Sequence, residues 1–152
     1  MIRFDFLMDS TKVIDPLTIE DIVSSKSFLD GNWMEQTKHL LFKEKEVQKF
    51  FIPIDNTYWN IDIITFVEKG TVIPEHSHDE PVLRYVLQGS LELNGEIYKE
   101  GDWVLVPANK QYQILTREGY KILSKYHAQC AECQWSKLSK LPLGKIGDAN
   151  NP

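Results

Sequence analysis

Cysteine is nearly missing from this chain: Cys130 and Cys133 are the only two among 152 residues. Two cysteines so close in sequence exclude a disulfide framework. No stretch approaches the roughly 18 uninterrupted apolar residues that a membrane span needs. Residues 1–30 have neither the apolar core nor the small-residue cleavage site of a secretory signal. Positive charge is in the minority, 17 basic against 22 acidic residues for a net −5, and no basic stripe stands out. That balance speaks against a nucleic acid or an anionic membrane as partner. Also missing are G-x-S-x-G, the P-loop and the dinucleotide fingerprint, which removes sequence support for serine hydrolysis, nucleotide hydrolysis and Rossmann redox chemistry. The resulting expectation is a cytoplasmic protein whose partner is a small-molecule ligand or substrate.

What is present is an apolar share of 42% with 11% aromatics, enough to build a core without staples. A length of 152 residues fits one domain. Asp15-Pro16 followed by Leu17, Ile19, Ile22 and Val23 reads as a short capped N-terminal helix, with proline in its first turn. Between His39 and Ile54, Leu40-Leu41-Phe42 and Phe50-Phe51-Ile52 flank a charged run, and two strands around a solvated loop are expected. An amphipathic helix over 34–50 competes with that reading.

From residue 57 the pattern is β. Strands are expected over Tyr58 to Val67, Val82 to Leu87, Ser90 to Leu93, Ile97-Tyr98, Trp103 to Val106, Tyr112 to Leu115 and Tyr120 to Tyr126. Gly70, Gly89, Asn94-Gly95, Gly101, Pro107 and Gly119 punctuate them, which indicates an all-β sandwich or barrel. Closing the edges of so small a sheet favours a barrel or jelly roll. The chain therefore divides into an N-terminal helix with flanking strands (1–56), the barrel (57–127) and a C-terminal extension (128–152) whose end is expected to be disordered.

His76 and His78 lie two apart, so on a strand both rings share a face, and inside a barrel that face is the lumen. Two convergent imidazoles are a half-site for a borderline divalent metal such as Fe, Ni, Cu, Zn or Mn. Alternation from Val82 puts Arg84 on the lumen face as well, where a guanidinium needs an anion: Glu92, Asp62 or an acidic ligand. A register slip would instead place Arg84 outside. Phe66 and Trp103 are candidate pocket walls. His127, Cys130 and Cys133 form a His-x2-Cys-x2-Cys cluster that could bind zinc with a fourth ligand from elsewhere, but a short Cys-x2-Cys without a second knuckle favours no metal role.

Gly70-x5-His76-x-His78 ending at Gly89 resembles the first cupin motif, and Gly101-x5-Pro107 followed by Tyr112 resembles the second. The resemblance covers roughly residues 58–125 and implies a double-stranded β-helix with a metal near one mouth. Two of the four usual cupin ligands are replaced: Val82 stands where a Glu is common, and Tyr112 where a His is common. Asn109 replaces a turn glycine, which its tolerance of the left-handed region permits. His-Ser-His-Asp-Glu-Pro-Val is similar to dihydroxyacetophenone dioxygenases, which like acetylacetone-cleaving enzymes bind iron through three His without the Glu. Arg117-Glu-Gly-Tyr-Lys-Ile-Leu resembles the cupin domains of anti-sigma factors.

These likenesses imply a divalent metal, iron by preference, on His76 and His78, in a dioxygenase acting on a small oxygenated or aromatic carbonyl compound. The candidate catalytic groups beside it are Tyr112, either a third metal ligand as a phenolate or a pocket wall whose hydroxyl donates to substrate, and Arg84, which would neutralise an enolate or carboxylate. The competing expectation is a non-catalytic module that binds or senses an anionic small molecule with a degenerate metal site. A homodimer or homo-oligomer is expected for either.

Overall fold

The computed structural model describes residues 13–37 and 46–128. Among these residues eight strands form one antiparallel sheet that closes on itself as a jelly-roll barrel: β1 Val23–Ser24, β2 Ile61–Val67, β3 Val72–His76, β4 Val82–Leu93, β5 Glu96–Lys99, β6 Trp103–Val106, β7 Tyr112–Leu115 and β8 Tyr120–Tyr126. β4 organises the rest. Its first half pairs with β6 and β8, and its second half with β5 and β7. β8 carries β2, β7 carries β3, and β6 carries β1. The two expected strands over 82–93 are thus one continuous strand, bent by a register shift between Val86 and Gln88. Gly89 makes the bend feasible. Its φ is +76°, and a Cβ there would lie 2.1 Å from the Gly119 carbonyl oxygen, so only glycine permits this crossing of backbones.

Period-2 alternation sorts the strands into two cores. Val67, Ile73, Val86, Leu91, Leu93, Val104, Val106, Ile114 and Ile122 fill the lumen. On the outer face, Leu83, Trp103 and Leu105 pack beneath Ile14, Trp33, Ile54 and Trp59 of the N-terminal segment. β6 is buried on both sides for this reason, which explains its unbroken apolar sequence Trp-Val-Leu-Val.

The helix expected after Asp15 does not form. Asp15 Oδ1 accepts from the Leu17 N–H (2.9 Å) and its carbonyl from the Thr18 N–H (3.1 Å), which closes an isolated turn. The capping chemistry is satisfied locally, and Leu17 stays 60% exposed with no apolar face to bury. The single α-helix among the described residues, α1, spans Trp33–Thr37 instead. Phe50 to Ile52 is irregular rather than a strand, with the Phe50 and Ile52 side chains packing onto the outer core. Leu40-Leu41-Phe42, the charged run to Lys45, Cys130, Cys133 and the C-terminal extension beyond Ala128 lie outside the described residues. No helix among the described residues is long and apolar enough to cross a membrane.

Candidate functional site

One phenolic oxygen is the centre of the site. Tyr112, first residue of β7, is fully buried, and its hydroxyl lies 3.1 Å from His76 Nε2, 2.8 Å from His78 Nε2 and 2.8 Å from Arg84 Nη2. Three strands and a loop deliver these groups. His76 ends β3 and is the Cα partner of Tyr112 across the ladder. His78 lies past the strand, so alternation does not aim its ring. Instead its carbonyl accepts the Asn109 N–H at 2.6 Å. Asn109 has φ +64°, the left-handed turn expected of it, and that turn pins the histidine loop to the β6–β7 connection. The two imidazoles stand edge to face, centroids 5.1 Å apart.

The network assigns the protons. His76 Nδ1–H donates to the Pro74 carbonyl at 2.8 Å, so in the neutral ring Nε2 is the acceptor and takes the Tyr112 O–H. The phenol has one proton to give. His78 Nε2–H and Arg84 Nη2–H must therefore both donate to it, which uses both lone pairs of the oxygen. Burial pushes the Tyr112 ionisation well above the ordinary phenol value, against a downward pull from Arg84, so the hydroxyl stays protonated.

Arg84 is the unusual member. It has 0% exposure and faces the lumen from near the start of β4, opposite Ser124 and Val104 on the neighbouring strands. Burial opposes its charge, the oxygens of Tyr112, Tyr126 and Tyr120 around it favour it, and the guanidinium remains a cation. Nη2 also reaches Tyr126 Oη at 3.4 Å, and the cation lies over the Tyr112 ring at 5.3 Å and the Tyr126 ring at 6.0 Å. Its Nε and Nη1 have no hydrogen-bond partner among the described residues, and neither do the buried hydroxyls of Tyr120 and Ser124. The carboxylates expected to pair with it are elsewhere. Asp62 points outward to Lys125 Nζ (2.9 Å), and Glu92 belongs to the far half of β4 beside Arg117 and Glu118.

Two residues read as pocket walls lie outside the lumen. Phe66 is 67% exposed under Lys121 Nζ (5.3 Å), because Thr65 and Val67 take the inward positions of β2. Trp103 belongs to the outer core, edge-on to Trp33 at 5.8 Å and against Phe28 at 6.5 Å, since its neighbour Val104 takes the lumen side. Sequence reasoning missed Tyr126, Tyr120 and Ser124. Their signal was the alternation of β8, where Tyr120, Ile122, Ser124 and Tyr126 all face inward.

These residues do not fit a divalent ion as they stand. Among the described residues no group of three His, Cys, Asp or Glu side chains could hold a metal. The point both imidazoles address is filled by a protonated phenol, and a guanidinium stands 2.8 Å from it with no carboxylate to separate it from a dication.

The sequence model of the ChrR cupin-like domain matches residues 37–135. Among solved structures, an RmlC-like cupin from Shewanella frigidimarina is 19% identical over 45% of this chain and 65% of its own, at a TM-score of 0.42. The Rhodobacter sphaeroides SigE complex with the anti-sigma ChrR is 18% identical over 43% of this chain and 39% of that one (TM-score 0.40). Salicylate 1,2-dioxygenase from Pseudaminobacter salicylatoxidans is 18% identical over 41% and 19% (TM-score 0.36). The match spans less than two thirds of each of these chains. No curated protein matches. With about two thirds of its length matched by the family model, the chain belongs to the ChrR cupin-like domains of the cupin superfamily.

Proposed function

We propose that this domain binds a small organic anion, a carboxylate, in the barrel lumen and acts as a ligand-binding or sensing module rather than through metal chemistry. One observation carries the reading: a fully buried guanidinium with no carboxylate partner among the described residues and with Nε and Nη1 unsatisfied. A buried cation in that condition is costly, and an anionic ligand is what offsets the cost. Arg84 supplies the charge, the His78 Nε2–H a further donor, and partly exposed His76 the side of entry.

The test is a thermal-shift and calorimetric titration with sodium formate, acetate and benzoate against sodium chloride at equal ionic strength, on the wild type and on Arg84→Met. A ligand at about 100 times its Kd adds about 2.7 kcal/mol of stability. Carboxylate stabilisation of the wild type that vanishes in the variant is expected, and an unchanged response in the variant refutes the proposal.

A second reading, an iron-dependent dioxygenase, draws on one observation, the meeting of both Nε2 atoms at a single point. Elemental analysis of the purified protein separates the two. Metal near one equivalent per chain, lost in His76→Ala, favours the dioxygenase and overturns the anion reading.

A further inference from the structure

The geometry points to Tyr112 as an internal plug, its hydroxyl holding the place of a ligand oxygen that a carboxylate takes over by displacing the phenol from the lumen. This inference rests on the anion-binding reading above. Two imidazole Nε2 atoms from the His76–His78 stretch and Arg84 Nη2 from β4 all address one oxygen within 3.1 Å. In the assigned network two of the three donate to it, so the atom sits where an acceptor belongs. Arg84 and Tyr112 are both at 0% exposure, so no water-sized space lies against the guanidinium. An anion reaching Nη2 therefore has to occupy a position that is already filled.

The phenol is an inferior occupant. It is neutral and leaves the cation uncompensated, and as a single oxygen it leaves Nε and Nη1 unmet. A carboxylate brings a full opposite charge and a second acceptor oxygen, so it forms an ion pair with the guanidinium and can meet two of its nitrogens at once. The plug is also poised to move. Tyr112 is the terminal residue of β7, and its pairing with His76 is separated from the regular β3–β7 ladder by a register shift between Ile73 and His76. Next to it, Gln111 is exposed and lies outside the strand. A rotation of the ring at this end breaks no interior ladder pairing, and it opens toward His76, the partly exposed member of the cluster. The plug lowers apparent affinity by the fraction of molecules in which the ring is out, which makes Tyr112 the residue that sets ligand affinity and selects anions able to outcompete a phenol.

Formate is the probe, a carboxylate with no further bulk, titrated calorimetrically into the full chain. Tyr112→Leu keeps an apolar side chain but deletes the ring tip. The expected result is at least about tenfold tighter formate binding than wild type, abolished in the double variant Tyr112→Leu/Arg84→Met. Equal or weaker binding by Tyr112→Leu, while Arg84→Met alone abolishes wild-type binding, overturns the plug and leaves the anion-binding reading intact. Unchanged binding in Arg84→Met overturns both. Should Tyr112→Leu fail to fold, proton NMR of the wild type decides. The hydrogen-bonded Tyr112 hydroxyl proton, shielded from exchange in the lumen, must vanish as formate saturates the protein, and its persistence at saturation overturns the plug.

Discussion

Replacing Arg84 with methionine removes the charge and keeps an unbranched chain of similar reach, and its effect on stability follows from the partners that Arg84 has and lacks. Two of its nitrogens, Nε and Nη1, are buried without acceptors. Each unmet buried donor costs about 1–3 kcal/mol. Against this, the substitution gives up the bond to Tyr112 at 2.8 Å, about 1.5–3 kcal/mol for a charged donor. It also gives up the stacking over Tyr112 and Tyr126, about 0.5–2 kcal/mol. The Tyr112 hydroxyl keeps His76 and His78 and is not orphaned. These contributions nearly cancel, and relieving the desolvation of a buried charge that has no carboxylate beside it tips the balance to methionine by about 1–3 kcal/mol, in keeping with buried ionic groups replaced by apolar ones of like volume.

For a domain of this size that is a rise of roughly 3–10 °C in Tm, with no added ligand. Urea denaturation and calorimetry in carboxylate-free buffer read it directly. A loss of more than about 2 kcal/mol refutes the reasoning, because it means the guanidinium has a compensating partner in the folded chain. A gain in stability together with loss of carboxylate binding is the signature of a residue kept for its ligand.

Other substitutions test the frame around the site. Trp103→Ala empties a fully buried position against Phe28 and Trp33, and an equilibrium unfolding curve is expected to show a loss of about 3–5 kcal/mol with carboxylate binding per folded molecule unchanged. Gly89→Ala drives a Cβ to 2.1 Å from the Gly119 carbonyl oxygen at φ +76°, and the variant is expected to lose more than about 3 kcal/mol or to accumulate as insoluble protein. Burial raises Tyr85 and Tyr120 to about 12. Their folded pKa exceeds the unfolded value of about 10, so they add stability in full below about pH 10 and lose it progressively toward pH 12. Ultraviolet titration is expected to show phenolate appearing from these residues only with cooperative alkaline unfolding, and their free ionisation in folded protein at pH 10.5 would contradict it.

Much of the barrel was legible because period-2 alternation and Gly or Asn-Gly turns are local signals. Asn94-Gly95 joins β4 to β5, and both residues take positive φ as such a turn requires. Counting from Val82 put Arg84 in the lumen correctly, since one apolar face fixes the parity of a whole strand. Parity failed where both faces are apolar. In β2, Ile63, Ile64, Phe66 and Val67 mix the two sides, and in β6 all four residues are buried. Phe66 and Trp103 were misread for that reason. The helix expected after Asp15 failed because an Asp–Pro start serves an isolated turn as well as a helix, and only tertiary burial distinguishes them.

By itself the sequence determined an all-β barrel, an inward cation on β4 and two histidines beside a tyrosine at the motif positions. Only the folded chain decided what those groups do to one another. His78 is aimed by a backbone bond to Asn109, 31 positions away, and Tyr112 is drawn between the imidazoles by a register irregularity across β3 and β7. Whether a carboxylate or a phenol faces Arg84 is a matter of which strands become neighbours. Alternation reports the face a residue takes, and it contains no information about the distance between residues brought together from different strands.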